Sequence, residues 1–445
     1  METELGTKIK KRRKELLLTQ RDLAGDNFTT SYISQIEKGK LNPSLSALTI
    51  LSKKLQIPIS YLLNSEPKSM IATIDTDTIN KFIYAVLCIN KKLQSIDSSE
   101  AINQIEQLKV EMREVGLEMF TFLCDYSLVS AYFNKEQYTE CINRGKPLLD
   151  SFEFYDMADK LAEMHYMIGF SQYNLQNNTE AKYNLHKCIQ YIQDNHLALY
   201  DIDISAHIKL GSVFGKQGAY IKAYQYYQNA LLKSKQHNHP RHIGECYLGL
   251  GLCSYYLNDD VESLEYLNKA FALFGLVGYE YGVALAGNNI GMAYIRMSKL
   301  DDAIPFFQGS VDIYRKLKKP INEARSLHEL ATIYLVKENH PETLKYCRLM
   351  SKIIKRTDDT VLRAYLWHTV GKVLKARKKY SWALIYLNKA ANIYETQNMP
   401  SELADIYSCM SEISRLRGDI ERSLEMLHRS VSIYSKLTIT NQRSQ

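Results

Sequence analysis

Residues 211–230 read GSVFGKQGAYIKAYQYYQNA, with small residues at Gly211, Ala223 and Ala230 and aromatic ones at Phe214, Tyr220 and Tyr227. The same slots return as Gly291, Tyr294, Leu300, Ala303, Phe307 and Ser310, and again as Gly371, Leu374, Tyr380, Ala383, Leu387 and Ala390. The marker slot itself recurs at Val129, Gly169, Gly211, Gly251, Gly291, Ala331, Gly371 and Ser411, at a spacing of 40 residues with a single step of 42. Each slot has a physical reason. A small marker lets two helices of one unit approach closely, the second small residue sits at their crossing, and the large residue between them packs into the next unit. One such unit cannot bury its own apolar face, so the units must stack.

This order of small and aromatic slots resembles the tetratricopeptide repeat, whose usual period is ~34 residues. Here the period is 40, which predicts longer helices or longer turns. About eight 40-residue units occupy residues 122–437. Residues 77–121 read as connecting or capping helices, residues 67–76 as a linker around Pro67, and residues 438–445 as a polar, frayed tail. With only 20 Gly and 9 Pro in 445 residues, long helices are favoured over strands and turns. The expected fold is all-α: an N-terminal five-helix head in residues 1–66, followed by a right-handed α-solenoid of tetratricopeptide-like helix pairs.

Of the formal charge of +7, +4 lies in the first 66 residues, as the run Lys10–Lys14 suggests. A small basic head on a nearly neutral body predicts a polyanionic partner for the head. The eight cysteines (Cys88, Cys124, Cys141, Cys188, Cys246, Cys253, Cys347 and Cys409) form no C-x-x-C pair and fall mostly in apolar helical stretches. They read as reduced thiols of a cytoplasmic protein. The N-terminus carries no apolar signal core, and the longest apolar run, Phe82–Ile89, is too short to span a bilayer.

The head divides into five helical segments. Leu5, Ile9, Leu16 and Leu17 form the apolar side of the first. Thr19 caps a second, Gln20–Ala24; Thr29 or Thr30 caps a third that stops at Gly39; Asn42-Pro43-Ser44 introduces a fourth, Leu45–Leu55; and Pro58 opens a fifth that ends at Leu63. Two short helices joined by a tight turn are the geometry of a DNA reader, in which the second helix enters the major groove. In the third segment Ile33 and Ile36 face inward, leaving Thr30, Ser31, Ser34 and Gln35 outward with Lys38 at the end. Short hydrogen-bonding side chains suit base edges, and Lys suits phosphate. The string LTQRDLA…SYISQIEKGKLNPSLSALTILSKKL…ISYLL resembles the XRE, or Cro/cI-type, helix-turn-helix over about 60 residues. The resemblance implies double-stranded DNA as partner. It places Gln20 on the DNA backbone, base contacts near Thr30, Ser31, Ser34 and Gln35, and Lys38, Lys40 and Asn42 near phosphates.

In a tetratricopeptide array the first helix of each unit lines a concave groove. The slots three before, one after, and four or five after the marker are expected to face it. They are Tyr166, Phe170, Tyr173 and Asn174; Lys216; Tyr255; Asn288, Met292 and Arg296; His328 and Thr332; His368 and Lys372; and Glu412. Amides can pair with an extended peptide backbone, aromatics make apolar pockets, and Arg or Lys can hold a carboxylate. The expected ligand is a short peptide, though a solvated groove position is the ordinary reading of any one of them. An XRE head on such an array resembles the Rap/Rgg/NprR/PlcR/PrgX family of peptide-sensing quorum-sensing regulators. The resemblance implies cytoplasmic homodimers that bind a signalling peptide, and in some members a response-regulator protein. No phosphate loop, nucleophile elbow or metal-ligand spacing occurs, so no enzyme, cofactor or metal is expected; the cluster His237, His239, His242 reads as a loop. The competing reading is a protein-docking scaffold, for which the basic run Lys372–Lys379 would mark a surface.

Overall fold

The computed structural model describes residues 4–16, 18–25, 28–41, 43, 45–55, 57, 81–82, 85, 99–114, 121–154 and 157–443. Every regular element among them is a helix. The chain divides into two compact units, residues 1–206 and 207–445.

The first unit opens with the head: α1 (Glu4–Glu15), α2 (Gln20–Ala24), α3 (Thr30–Glu37) and α4 (Leu45–Leu55). Local capping sets these boundaries. Thr19 Oγ1 accepts from the Asp22 amide at 3.1 Å while the Thr19 amide donates back to Asp22 Oδ2 at 2.8 Å, a capping box for α2. Thr29, not Thr30, caps α3, accepting from the Tyr32 amide at 3.1 Å. After α3 the chain reverses through Gly39 at φ +66°, a left-handed conformation that glycine adopts without strain. The core is Ile9, Leu23, Ile33, Ile36, Leu48, Leu51 and Leu55, as the apolar spacing requires. Lys54 Nζ donates to the Leu23 and Ala24 carbonyls at 3.2 and 2.9 Å, so α4 satisfies the open end of α2. The expected fifth helix, Pro58–Leu63, lies outside the described residues, as do Leu17, Asn42, the linker and most of 77–121.

The unit continues through α5 (Ser99–Glu114), α6 (Thr121–Asn134), α7 (Tyr138–Phe154), α8 (Ala158–Asn174) and α9 (Asn178–Asp194). Ile105, Leu108 and Met112 of α5 pack on Cys124 and Leu128 of α6. α10 (Tyr200–Lys216) contains the division between the units.

The second unit then runs α11 (Tyr220–Gln236), α12 (Pro240–Tyr256), α13 (Asp260–Leu276), α14 (Glu280–Arg296), α15 (Leu300–Lys316), α16 (Pro320–Val336), α17 (His340–Thr357), α18 (Thr360–Ala376), α19 (Tyr380–Thr396), α20 (Pro400–Leu416) and α21 (Ile420–Arg443). Most of these helices have 17 residues, joined by connections such as His237–His239. The long period therefore comes from the helices and not from the turns. Each connection holds one left-handed residue, and these recur every 20 positions: Gly218, Asn238, Asn258, Gly278, Ser298, Lys318, Glu338, Asp358, Lys378, Asn398 and Gly418. The marker slot does what its size predicts. A Cβ on Gly291 would meet the Phe307 ring at 2.6 Å, and one on Gly251 would meet Leu267 at 2.7 Å. Ala303 and Ala383 at the crossings are fully buried. Each helix packs on the next, and first helices of successive pairs also touch (α12 on α14, α16 on α18, α18 on α20), so they form one layer of a helical solenoid. α21 continues to Arg443, past residue 437 where the sequence reading ended the array and placed a frayed tail. No described helix is long and apolar enough to cross a membrane. All described cysteines are buried, and burial pushes Cys253 and Cys347 up to about 12, which keeps these thiols protonated.

Candidate functional site

On α3, Ile33 and Ile36 point into the head core, and Thr30, Ser31 and Gln35 are exposed. Ser34 is half-buried, and Lys38 and Lys40 are exposed just beyond the helix end. The helix therefore presents an outward strip of hydroxyls and an amide that ends in two cations. Asn42, expected on the same edge, lies outside the described residues. Gln35 Nε2 donates to Ser31 Oγ at 3.5 Å, a long bond that other partners can replace.

The network beneath this strip was not legible from the sequence. Glu37, 2% exposed, takes Arg13 Nε at 2.6 Å on one carboxylate oxygen and Arg13 Nη2 at 3.0 Å on the other. Gln20 Nε2 adds a third bond, to Oε2 at 2.7 Å. Burial alone would raise the Glu37 carboxyl, but the bonds from Arg13 and Gln20 and the charges of Arg13 and Lys10 outweigh it and hold it below its ordinary value. Arg13 also donates to the Leu18 carbonyl at 2.8 Å, and Arg12 to the Leu55 carbonyl at 3.2 Å. Part of the run Lys10–Lys14 thus builds the head instead of facing a polyanion. Gln20 is clamped by Glu37, which ties the start of α2 to the end of α3.

In the first unit, Tyr166 and Phe170 of α8 join an aromatic cluster with Phe133 and Tyr138, with ring centroids 5.2–6.1 Å apart. Tyr173 is half-buried beside them; Asn174 is exposed, its amide donating to the Phe170 carbonyl at 2.9 Å. In the second unit Lys216 is exposed. Arg296 lies over the Tyr255 ring at 3.6 Å and is bound by Asp260 and by the Tyr255 carbonyl. Lys372 is paired with Asp405 at 2.6 Å, and the exposed Glu412 with Lys375 at 2.6 Å. Thr332 is half-buried.

The slot three before the marker faces the neighbouring first helix more than it faces open space. Asn288 Oδ1 accepts from Ser326 Oγ at 2.8 Å, across to α16. His328 packs on Tyr365 of α18, with centroids 4.8 Å apart. His368 is 8% exposed and lies 3.5 Å from Asp405. Burial, with Lys372 nearby, pushes both imidazoles down, so they are neutral at pH 7. The slot two before the marker is buried at Met167, Thr369 and Cys409 but half-buried at Asn289. Asn289 there, with Met292, Leu252, Tyr255, Tyr256 and Leu267, lines a cavity of about 80 Å³. An i, i+3, i+7 stripe joining Asn289, Met292 and Arg296 was the available signal. A second, apolar cavity of about 220 Å³ lies among Phe271, Phe306 and Ile313.

Head and repeats together define an XRE-type helix-turn-helix protein carrying a tetratricopeptide array. Residues 9–62 match the helix-turn-helix family model, and residues 283–317 match a tetratricopeptide repeat model. The transcriptional activator NprA of Geobacillus stearothermophilus is 20% identical over 359 residues, 79% of this chain and 83% of that protein. The match is to a transcription regulator and not to an enzyme. The immunity repressor protein of Bacillus phage phi105 is 41% identical over 63 residues, 14% of this chain and 44% of the repressor. A kinesin light chain-related protein of Arabidopsis thaliana is 26% identical over 190 residues, 42% of this chain, but the alignment spans only 23% of that protein. Among solved structures, the apo quorum sensor NprR of B. thuringiensis superposes with a TM-score of 0.60 at 13% identity, covering 83% of this chain and all (100%) of NprR. A Rap protein complexed with competence and sporulation factor superposes with a TM-score of 0.57 at 12% identity, covering 82% of this chain and 99% of Rap. The resemblance read from the sequence thus holds at the level of fold.

Proposed function

We propose that this chain is a cytoplasmic transcription regulator that acts as a homodimer. Its heads bind double-stranded DNA, and its repeat array binds a short signalling peptide that changes how the heads engage DNA. The observation that carries the first half is α3: its inner side is packed by Ile33, Ile36 and the Arg13–Glu37–Gln20 network, and its outer side offers Thr30, Ser31, Gln35, Lys38 and Lys40. A rigid helix with short polar side chains outward and cations at its end suits the major groove. One small head offers few base contacts, and two heads on half-sites ~34 Å apart supply the rest. The peptide half is supported by the aromatic and polar face of the first helices and by fold likeness to NprR, a quorum sensor, and to a Rap protein solved with competence and sporulation factor.

The test is fluorescence anisotropy of the full chain on promoter DNA flanking its own gene, titrated with synthetic peptides from small neighbouring secreted reading frames. Specific binding that a peptide strengthens, weakens or re-spaces supports the reading. Specific binding that ignores every peptide refutes the sensor half. Loss of all specific binding refutes the DNA half and favours a scaffold or a response-regulator-binding protein. Light scattering that shows only monomers, with and without DNA, refutes the dimer.

A further inference from the structure

The slots through which one repeat stacks on the next are buried where another helix follows. In α19, Leu384, Leu387, Ala391 and Tyr394 share a core with Ile406 and Ile413 of α20. Two units earlier, Phe307 and Val311 of α15 fill two of the same slots and pack with Leu327 and Leu330 of α16. Forty residues past the α19 set stand Leu424, Leu427, Val431 and Tyr434 of α21. With Ile420 they are 44–62% exposed, whereas the four α19 side chains are 0–9% exposed. A terminal repeat ordinarily turns a polar face to water. The stacking face of α21 is instead an apolar stripe. It is not the face that holds α21 on α20: there Met426 is buried, Ser430 Oγ donates to the Ala404 carbonyl at 2.8 Å, and the Ser423 and Ser411 hydroxyls are 3.1 Å apart.

The stripe has the spacing of a helix-pairing seam. Its residues follow one another at intervals of 4, 3, 4 and 3, the a/d rhythm that keeps one side of a helix against a partner helix. At 3.6 residues per turn all five fall within about 80° of arc. None of the five is charged. The order also reads the same in both directions from Leu427: Ile420 and Tyr434 lie seven residues to either side, and Leu424 and Val431 three and four. An antiparallel second copy therefore sets Leu427 on Leu427, Leu424 on Val431 and Ile420 on Tyr434, apolar on apolar in every layer. That is the self-complementarity a two-fold interface requires. The five side chains expose about 500 Å² in each copy, so a pair covers on the order of 1,000 Å², the area at which specific interfaces begin.

We infer that this stripe of α21 is where two copies of the chain meet, as an antiparallel helix pair about a two-fold axis at Leu427. The inference rests on the homodimer reading proposed above and gives that dimer its surface. The mirrored order favours a second copy over an unrelated helix, because a seam matched to a different partner has no reason to read the same in both directions.

The test is sedimentation velocity of the full-length protein over a concentration series, for the wild type and for the double variant Leu424→Glu/Val431→Glu. Circular dichroism melts establish that the variant is folded; both positions are exposed, so the melt should not change. The wild type is expected to dimerise, and the variant to do so about a hundredfold more weakly, because each outer layer would bury two like charges. Single cysteines then give the register. Under mild oxidation Leu427→Cys should cross-link two copies. Leu424→Cys and Val431→Cys each stand on the order of 10 Å along the axis from their own copy, beyond the reach of a disulfide, and should link only when the two variants are mixed. The described native cysteines are buried, and the wild type under the same oxidation is the control. A wild type that stays monomeric, with and without DNA, overturns the homodimer reading and this surface with it. A dimer that the double variant holds as tightly as the wild type overturns the surface alone and leaves the stripe to another partner. A cross-link through Leu424→Cys or Val431→Cys alone that matches the one through Leu427→Cys, or none through Leu427→Cys, overturns the antiparallel order.

Discussion

Replacing Arg13 with alanine should open the head while the repeat array stays folded. Glu37 is 2% exposed, and Arg13 is 9% exposed and supplies two of its three hydrogen bonds. Removing one partner of a buried pair costs about 3–5 kcal/mol, because the other charge stays buried. The low end applies here, since in so small a head water lies close to the pair; the lost bond to the Leu18 carbonyl adds ~1 kcal/mol. A head of this size has roughly 3–9 kcal/mol of stability in all, so the substitution removes a large share of it. The assay is hydrogen exchange of the α3 amides by mass spectrometry, paired with DNA anisotropy. Arg12→Ala is the control: Arg12 is part-exposed, pairs with surface Glu15 and holds one carbonyl, so ~1 kcal/mol is expected. The double variant Arg13→Met/Glu37→Leu should recover most of the loss, because an apolar pair leaves no stranded charge. If Arg13→Ala opens α3 no more than Arg12→Ala does, the ion pair does not hold the head together.

The same pair sets a pH dependence. The Glu37 carboxyl is held below its ordinary value when folded, so its contribution is present above about pH 4.3 and lost as pH falls through the lowered value; α3 exchange should rise in that acid window. Gln35→Ala should weaken specific DNA binding by ~1–3 kcal/mol, whereas Lys38→Ala should weaken all sequences alike and reduce the salt slope by about one. An unchanged affinity for Gln35→Ala would mean that this edge of α3 does not read bases. Glu338 holds φ +54° between α16 and α17, and Glu338→Gly should raise stability by about 0.5–1 kcal/mol in a denaturant melt. Gly291→Ala should lower it by about 1–3 kcal/mol, because the new Cβ meets the Phe307 ring at 2.6 Å; a neutral result would show that α14 and α15 can separate freely.

The repeat, its period and the inward turn of Ile33 and Ile36 were legible in the sequence because each depends on short-range spacing. A helix places residues three and four apart on one side, and a small residue at a fixed slot admits the next helix wherever it recurs. Capping was legible for the same reason, since Thr19 and Thr29 act on amides three residues away. Long-range pairing was not. Arg13 sits in a run of five basic residues, and nothing in that run marks it as the partner of Glu37, 24 positions on. Asn288 looks like a ligand amide in the sequence alone, but its partner is Ser326, 38 positions on. Periodicity determines which positions are buried. Which side chains then meet depends on how neighbouring helices cross, and that is set by the packing of the unit as a whole.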